Sequence, residues 1–231
     1  MIRQAALPPL TRGRWIPMTW EEFLDWSPDE GQSEWVDGEG IAYVSNSERH
    51  DAILVFLTEL LGRYVRILGL GRLFVAGMLL RLPSRPSGRM PDLFVIAKGD
   101  LDRVQHQWVD GPALLAVEII SEESVRRDTR EKRAEYTRAG IAEYLTVDAR
   151  PGHNGVTYLR LGTEGAYEPI APDAKGRLHS ATLPGFWLDP DWFGQAALPE
   201  VDDLLLEIAP EAYEAWLLAR IRSRRAADDT P

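Results

Sequence analysis

The sequence predicts a single α/β domain built around a mixed sheet, and three stretches carry that reading. "ALLAVEIIS", residues 113–121, is almost continuously apolar, the pattern of a central strand covered on both faces. "ERHDAILVFLTELLGRYVRILGLG" places Ile53, Leu57, Leu60, Leu61, Tyr64, Ile67 and Leu68 on one helical face before its glycines end it. "SEWVDGEGIAYV" alternates around Asp37-Gly38, a strong hairpin signal.

The remaining elements follow in order. Residues 1–18 contain Pro and Arg without periodicity and read as an extended arm. In "MTWEEFLDWSP", Thr19 is an N-cap, Glu22 completes a capping box and Pro28 is a stop, so a short helix is expected. Ser45 or Ser47 caps the long helix. "RLFVAGMLLRL" and "MPDLFVIA" read as strands on either side of a loop rich in Pro, Ser, Arg and Gly. After the 113–121 strand a helix runs to Ala139-Gly140, followed by the strand "AEYLTVDA" and a hairpin from "GVTYLRLG" and "AYEPIAP". "EVDDLLLEIAPEAYEAWLLARIRSRR" is a C-terminal helix with a break expected at Pro210. The division expected is an arm over 1–18, the α/β domain over 19–195 and a helical extension over 196–231.

Composition removes several functions. The net charge of −10 argues against a general nucleic-acid coat, whose affinity comes from neutralising phosphates with Lys and Arg. It leaves room for an enzyme that meets nucleic acid on one local basic face. Cysteine is absent, which excludes disulfides and thiolate metal sites. No apolar run reaches the roughly 20 residues of a membrane span, and the N-terminus lacks the apolar core of a signal peptide. A cytoplasmic location is expected.

Glu118 is the most informative residue, because an isolated carboxylate within an apolar strand must be protonated, paired or bound to a metal. Asp92, at the entrance to the strand "DLFVI", poses the same question. Two carboxylates on neighbouring strands suit a hard cation such as Mg²⁺; a strand-end cap or an arginine pair is the alternative for each. Lys132 tips the balance. With Val125, Thr129, Tyr136 and Ala139 it forms one helical stripe, turned towards the sheet, in a chain that holds only three lysines. A surface Asp128–Lys132 pair, or Asp128 as N-cap with Glu131 in a capping box, is the competing arrangement.

Pro91-Asp92, the strand-borne Glu118 and the later lysine resemble the PD-(D/E)XK nuclease signature. More narrowly, the chain resembles the Uma-two family of bacterial restriction-endonuclease-like proteins. The matching pieces run in order: "SEWVDGEGIAYV", "SERHDAILVFLTEL", "MPDLFVIA", "GPALLAVEIISEES", "RDTREKRAEYTRAGIAEYLTVDA" and "LPGFWLD". They cover roughly residues 19 to 193. The chain departs from the pattern at Ile120, where the tripeptide lysine would stand; Lys132 matches a lysine migrated to the following helix. Leu145 replaces a tryptophan, and "SEES" lacks a proline after serine.

The resemblance implies a restriction-endonuclease-like fold and metal-dependent hydrolysis of DNA phosphodiester bonds. It implies Mg²⁺ or Mn²⁺ held by Asp92 and Glu118, with Glu34 and the backbone carbonyl of Ile119, and Lys132 orienting the attacking water. An exposed strand glutamate is the alternative for Glu34. His50 matches a recurrent histidine that touches a phosphate or holds a carboxylate; a hydrogen-bonded core histidine is its alternative. Arg130, on the arginine-rich helix 126–138, and the loop "RLPSRPSGRMPD" are candidates for phosphate contacts. A homodimer is expected. Two other classes compete: a catalytically silent DNA-binding or mobile-element accessory protein, and a structural dimer whose carboxylates merely pair with arginines.

Overall fold

The computed structural model describes residues 14–27, 32–42, 47–83 and 85–228; Pro28, Ser45 and most of the expected arm lie outside these. The described chain begins with β1 (Ile16–Pro17) and helix α1 (Trp20–Trp26). Thr19 caps α1 through the expected capping box with Glu22. β2 (Ser33–Val36) and β3 (Glu39–Ala42) form the expected hairpin. Asp37 at φ 50° and Gly38 at φ 88° supply the left-handed pair that a tight two-residue turn requires. Helix α2 (Glu48–Ile67) starts at Ser47, whose side chain accepts from the His50 amide.

The stretch expected as one strand, "RLFVAGMLLRL", is two. β4 (Gly71–Val75) and β5 (Leu79–Leu82) are separated by a turn in which Gly77 has φ 111°. They enter different sheets. The Pro/Gly-rich loop contains a further strand, β6 (Ser87–Arg89), before β7 (Leu93–Ala97), β8 (Trp108–Asp110) and β9 (Leu115–Ile120). The next helix is π-helical over Arg127–Lys132 and α-helical over α3 (Arg133–Ala139), closing on Gly140 at φ 81°. β10 (Glu143–Asp148), β11 (Val156–Leu161) and β12 (Tyr167–Pro169) follow, then α4 (Val201–Ile208) and α5 (Pro210–Asp228), which part at Ala209 ahead of the expected Pro210 break.

Instead of one sheet, the described residues form two six-stranded ones and a two-stranded pairing of residues 178–179 with 187–188. The central sheet has the order β12-β11-β10-β9-β7-β4 and the second β1-β3-β2-β6-β5-β8. β9 and β10 are parallel, so the chain must cross between them, and the helix carrying Lys132 is that crossover. Strand alternation decides what each face meets. Leu93, Val95, Leu115, Val117, Ile119, Leu145 and Val147 pack against Ile53, Leu57, Leu60 and Leu61 of α2 and Leu204 and Leu205 of α4. Leu57 is wholly buried there, so Leu57→Ala costs about 2–5 kcal/mol. Phe94, Ala116 and Tyr144 face the opposite core with Tyr136. Glu118 is in phase with Ala116 and so points at the crossover helix. Among the described residues no helix is long and apolar enough to cross a membrane.

Candidate active site

The two sheets and the crossover helix converge on one ammonium group. Lys132 Nζ lies 2.7 Å from Glu34 Oε1 and 2.9 Å from Glu118 Oε1. Tyr136, one helical turn on, donates its hydroxyl to the same Glu118 oxygen at 2.8 Å. Glu34 comes from β2 of the second sheet, Glu118 from β9 of the central one. Glu34, Glu118 and Lys132 are each buried. The exposed-strand reading of Glu34 therefore fails, and so does the surface setting of the Asp128–Lys132 pair. That pair exists at 3.7 Å, but Asp128 is itself buried.

Asp92 is placed by register. Leu93 pairs antiparallel with Val117, which sets the preceding Asp92 beside Glu118 at the edge of the same cluster. Its Oδ2 accepts from the Ile119 amide at 2.6 Å and its Oδ1 from Gln32 Nε2 at 2.6 Å. His50, at the start of α2, brings Nε2 to 3.5 Å from Asp92 Oδ2. It is itself buried, so it stands at a carboxylate and in the core at once, as both the carboxylate-holding and the core-histidine readings require. Ile119 contributes its amide to this contact.

The helix stripe differs from the expected one. Thr129 is exposed and Val125 half-buried, whereas Ser124, Asp128, Lys132, Glu135 and Tyr136 are buried. The wider π-helical turn over Arg127–Lys132 accounts for this, and such segments concentrate at functional sites. Asp128 lies inside the helix rather than at its N-cap, because its amide bonds back to the Ser124 carbonyl. Arg130 is exposed and makes no hydrogen bond or ion pair with the cluster.

A second buried shell went unread in the sequence. Arg89, expected as part of a phosphate-contacting loop, is instead a strand residue opposite Glu34 and only 2 % exposed. It donates to Glu34 Oε2 at 2.9 Å and to Glu135 Oε2 at 2.8 Å and 3.1 Å. Ser87 donates to the other Glu135 oxygen. The chain Glu135–Arg89–Glu34–Lys132–Glu118 thus links both sheets through charge-assisted bonds.

The charges do not balance. Burial raises Glu34, but the Lys132 and Arg89 charges outweigh it and hold it well below the usual carboxylate range. Burial likewise raises Asp92, and His50 and the Ile119 amide overcome it, so Asp92 is lowered. Glu118 is different. Burial, only partly opposed by Lys132 and reinforced by Asp128, Asp92 and Glu34, pushes it up to about 8. Asp128 is raised too, chiefly by burial. Burial would lower Lys132, but Glu118 and Glu34 hold it far above the ordinary lysine value. Lys132 and Arg127 thus only partly offset the burial of Glu118 and Asp128, and Asp128 Oδ1 is buried with no hydrogen-bond partner among the described residues.

This donor set fits a hard divalent cation. All the candidate ligands are oxygens, and the cluster carries surplus negative charge. Among the described residues no three acidic or histidine groups already form a metal cage. That is compatible with Mg²⁺, which is usually held by one or two carboxylates and completed by waters and substrate phosphate.

The comparisons agree with this fold. A crystal structure described as that of a putative nuclease belonging to DUF820 from Anabaena variabilis superposes with a TM-score of 0.61 at 18% identity, covering 77% of this chain and 97% of that one. At that identity the likeness speaks for the fold. No curated protein matches the chain. Residues 20–191 match the Uma2 family, whose description reads "Putative restriction endonuclease", and a match over most of the chain places this protein in that family.

Proposed function

We propose that this protein is a divalent-metal-dependent endonuclease that hydrolyses DNA phosphodiester bonds. One observation carries the reading: Lys132 Nζ is buried between Glu34 and Glu118, beside Asp92, in a cluster with more carboxylates than cations. Asp92 and Glu118, with Glu34 and the Ile119 carbonyl, are the residues to hold Mg²⁺ or Mn²⁺. A bound divalent cation supplies Lewis-acid polarisation of the phosphate and lowers the pKa of a water. The Lys132 ammonium orients the attacking water and stabilises charge that develops on the phosphate. Tyr136 fixes the Glu118 carboxylate, the Ile119 amide and Gln32 fix Asp92, and Arg89 fixes Glu34. Arg130 and its exposed neighbours are offered to the DNA backbone. A homodimer belongs to the same reading; its support is the family resemblance and the exposed Leu217, Leu218 and Ile221 on α5.

The test is cleavage of supercoiled plasmid, single-stranded and structured DNA with Mn²⁺, comparing wild type with Glu118→Ala. Metal-dependent cleavage that the variant lacks supports the proposal. The net charge of −10 favours a second reading, a catalytically silent DNA-binding accessory protein. DNA binding without cleavage of any substrate by the wild type would establish that reading instead.

A further inference from the structure

We infer that Asp128 is a positioning residue: it receives the Lys132 ammonium when a divalent cation takes the carboxylates of Glu34 and Glu118. The inference rests on the metal-dependent reading above and gives a role to a residue that reading does not use.

Lys132 Nζ now occupies the centre of the cluster, at 2.7 Å from Glu34 and 2.9 Å from Glu118. It acts as an internal counter-ion. Both the Lys132 and the Tyr136 bonds fall on Glu118 Oε1, which leaves Oε2 as the oxygen for a cation to approach. A divalent ion sits roughly 2 Å from its ligand oxygens, so one bound to Glu118 Oε1 stands within roughly 5 Å of the ammonium, and one bound to the other oxygen within roughly 7 Å. Two such cations in a water-poor site repel strongly, and both compete for the same carboxylates. The ammonium must shift towards an acceptor not claimed by the metal.

Asp128 meets that requirement. Its Oδ1 lies 3.7 Å from Nζ, beyond hydrogen-bond range, and has no hydrogen-bond partner among the described residues although the residue is 1 % exposed. The nearest other charge is Arg127 Nε at 3.5 Å. A shift of under about 1 Å would bring Nζ to normal bonding distance of about 2.9 Å. Asp128 and Lys132 share the π-helical segment, so side-chain torsions suffice. Buried polar atoms are seldom left unpartnered, and an oxygen satisfied in only one of two states accounts for this exception.

A double-mutant cycle tests the inference: wild type, Asp128→Asn, Lys132→Met and the double variant, titrated with Mn²⁺ by calorimetry. Asp128→Asn should weaken Mn²⁺ binding by roughly tenfold when Lys132 is present and by less than about twofold in Lys132→Met. Equal losses in both backgrounds would make Asp128 a metal ligand, and no loss in either would make it a bystander; each overturns the inference. A wild type that binds no Mn²⁺ sinks both this inference and the nuclease reading, whereas binding with an unaffected Asp128→Asn variant sinks this one alone. If Lys132→Met does not fold, the ammonium itself decides. The chain's lysines are Lys98, Lys132 and Lys175, so the buried ¹⁵Nζ signal is separable. It should move on saturation with Mg²⁺ in the wild type, and an unmoved signal would overturn the inference.

Discussion

Lys132 Nζ lies 2.9 Å from Glu118 Oε1, a contact that ties the crossover helix to the central strand across 14 residues of chain. Tyr136 reaches the same oxygen from one turn further along. The helix therefore presents an ammonium and a hydroxyl to one carboxylate at the point where that carboxylate has the least other compensation. Such an arrangement is costly as a stability device, because both charges lose their hydration. Its use is to hold an ammonium at a defined point in a low-dielectric site.

The first prediction concerns that point charge. Lys132→Met should lower cleavage at least about 100-fold, the scale seen when one transition-state donor is removed. It should still bind Mn²⁺, because the lysine is no ligand. Without metal it should lose about 3 kcal/mol of stability, since it leaves buried carboxylates uncompensated. Lys132→Arg should also cleave poorly, because a planar fork cannot occupy the space between Glu34 and Glu118. Cleavage by Lys132→Met at the wild-type rate would refute the assignment.

A second prediction follows from Glu118. Its folded pKa, about 8, lies above its ordinary value of 4.5, so the folded state binds the proton more tightly than the unfolded state. The stabilisation is then fully present below pH 4.5 and is lost as pH rises through about 8. Glu34 and Asp92 are lowered and act oppositely: their contribution is present above their ordinary values and is lost as pH falls towards strong acid. Metal-free wild type should thus lose roughly 5 °C or more in Tm between pH 5 and 9, and Glu118→Gln should lose less. Parallel profiles for the two proteins would contradict this account.

The sequence exposed the candidate carboxylates and lysine through local rules, and missed what depended on distant pairing. Glu118 and Lys132 stood out because strand and helix periodicity each put a charge on a buried face. Arg89 did not, because "PSGRMPD" reads as a loop; β6 is only 3 residues long and exists by pairing with β2 and β5. Asp128 was assigned to a cap or the surface because α-helical spacing does not anticipate a π-helical turn. Glu143 shows the limit of the signal: it is a third buried strand glutamate, in "AEYLTVDA", yet its setting is unlike that of Glu118.

Arg89 supplies the third prediction. It joins Glu34 and Glu135 inside the protein, at 2.9 Å and 2.8 Å, whereas the part-exposed Arg85 reaches Glu135 only at 3.6 Å. Removing one partner of a buried pair leaves the other charge stranded, so Arg89→Met should cost about 3–5 kcal/mol in urea unfolding. Arg89→Lys should recover little, because one ammonium cannot reproduce the donors directed to two carboxylates. An Arg89→Lys protein as stable as wild type would show that charge alone, and not the fork, holds the two sheets together.

Glu143 provides the contrast that separates structure from chemistry. Its Oε2 accepts hydroxyls from Tyr158 at 2.8 Å, Ser180 at 2.7 Å and Thr182 at 2.8 Å, and its Oε1 accepts from the Ala181 amide. These neutral donors satisfy the carboxylate and pin the 180–182 segment to β10, with no cation required. Glu143→Gln must turn an amide donor towards groups that already donate, so it should destabilise by about 2–3 kcal/mol. Cleavage per folded molecule and Mn²⁺ affinity should stay within about twofold of wild type, unlike Glu118→Gln, because Glu143 touches none of Asp92, Glu118 and Lys132. Urea unfolding and a plasmid assay on the same preparation check both halves. Loss of specific cleavage with undiminished stability would place Glu143 in the chemistry and overturn the distinction between the two buried glutamates.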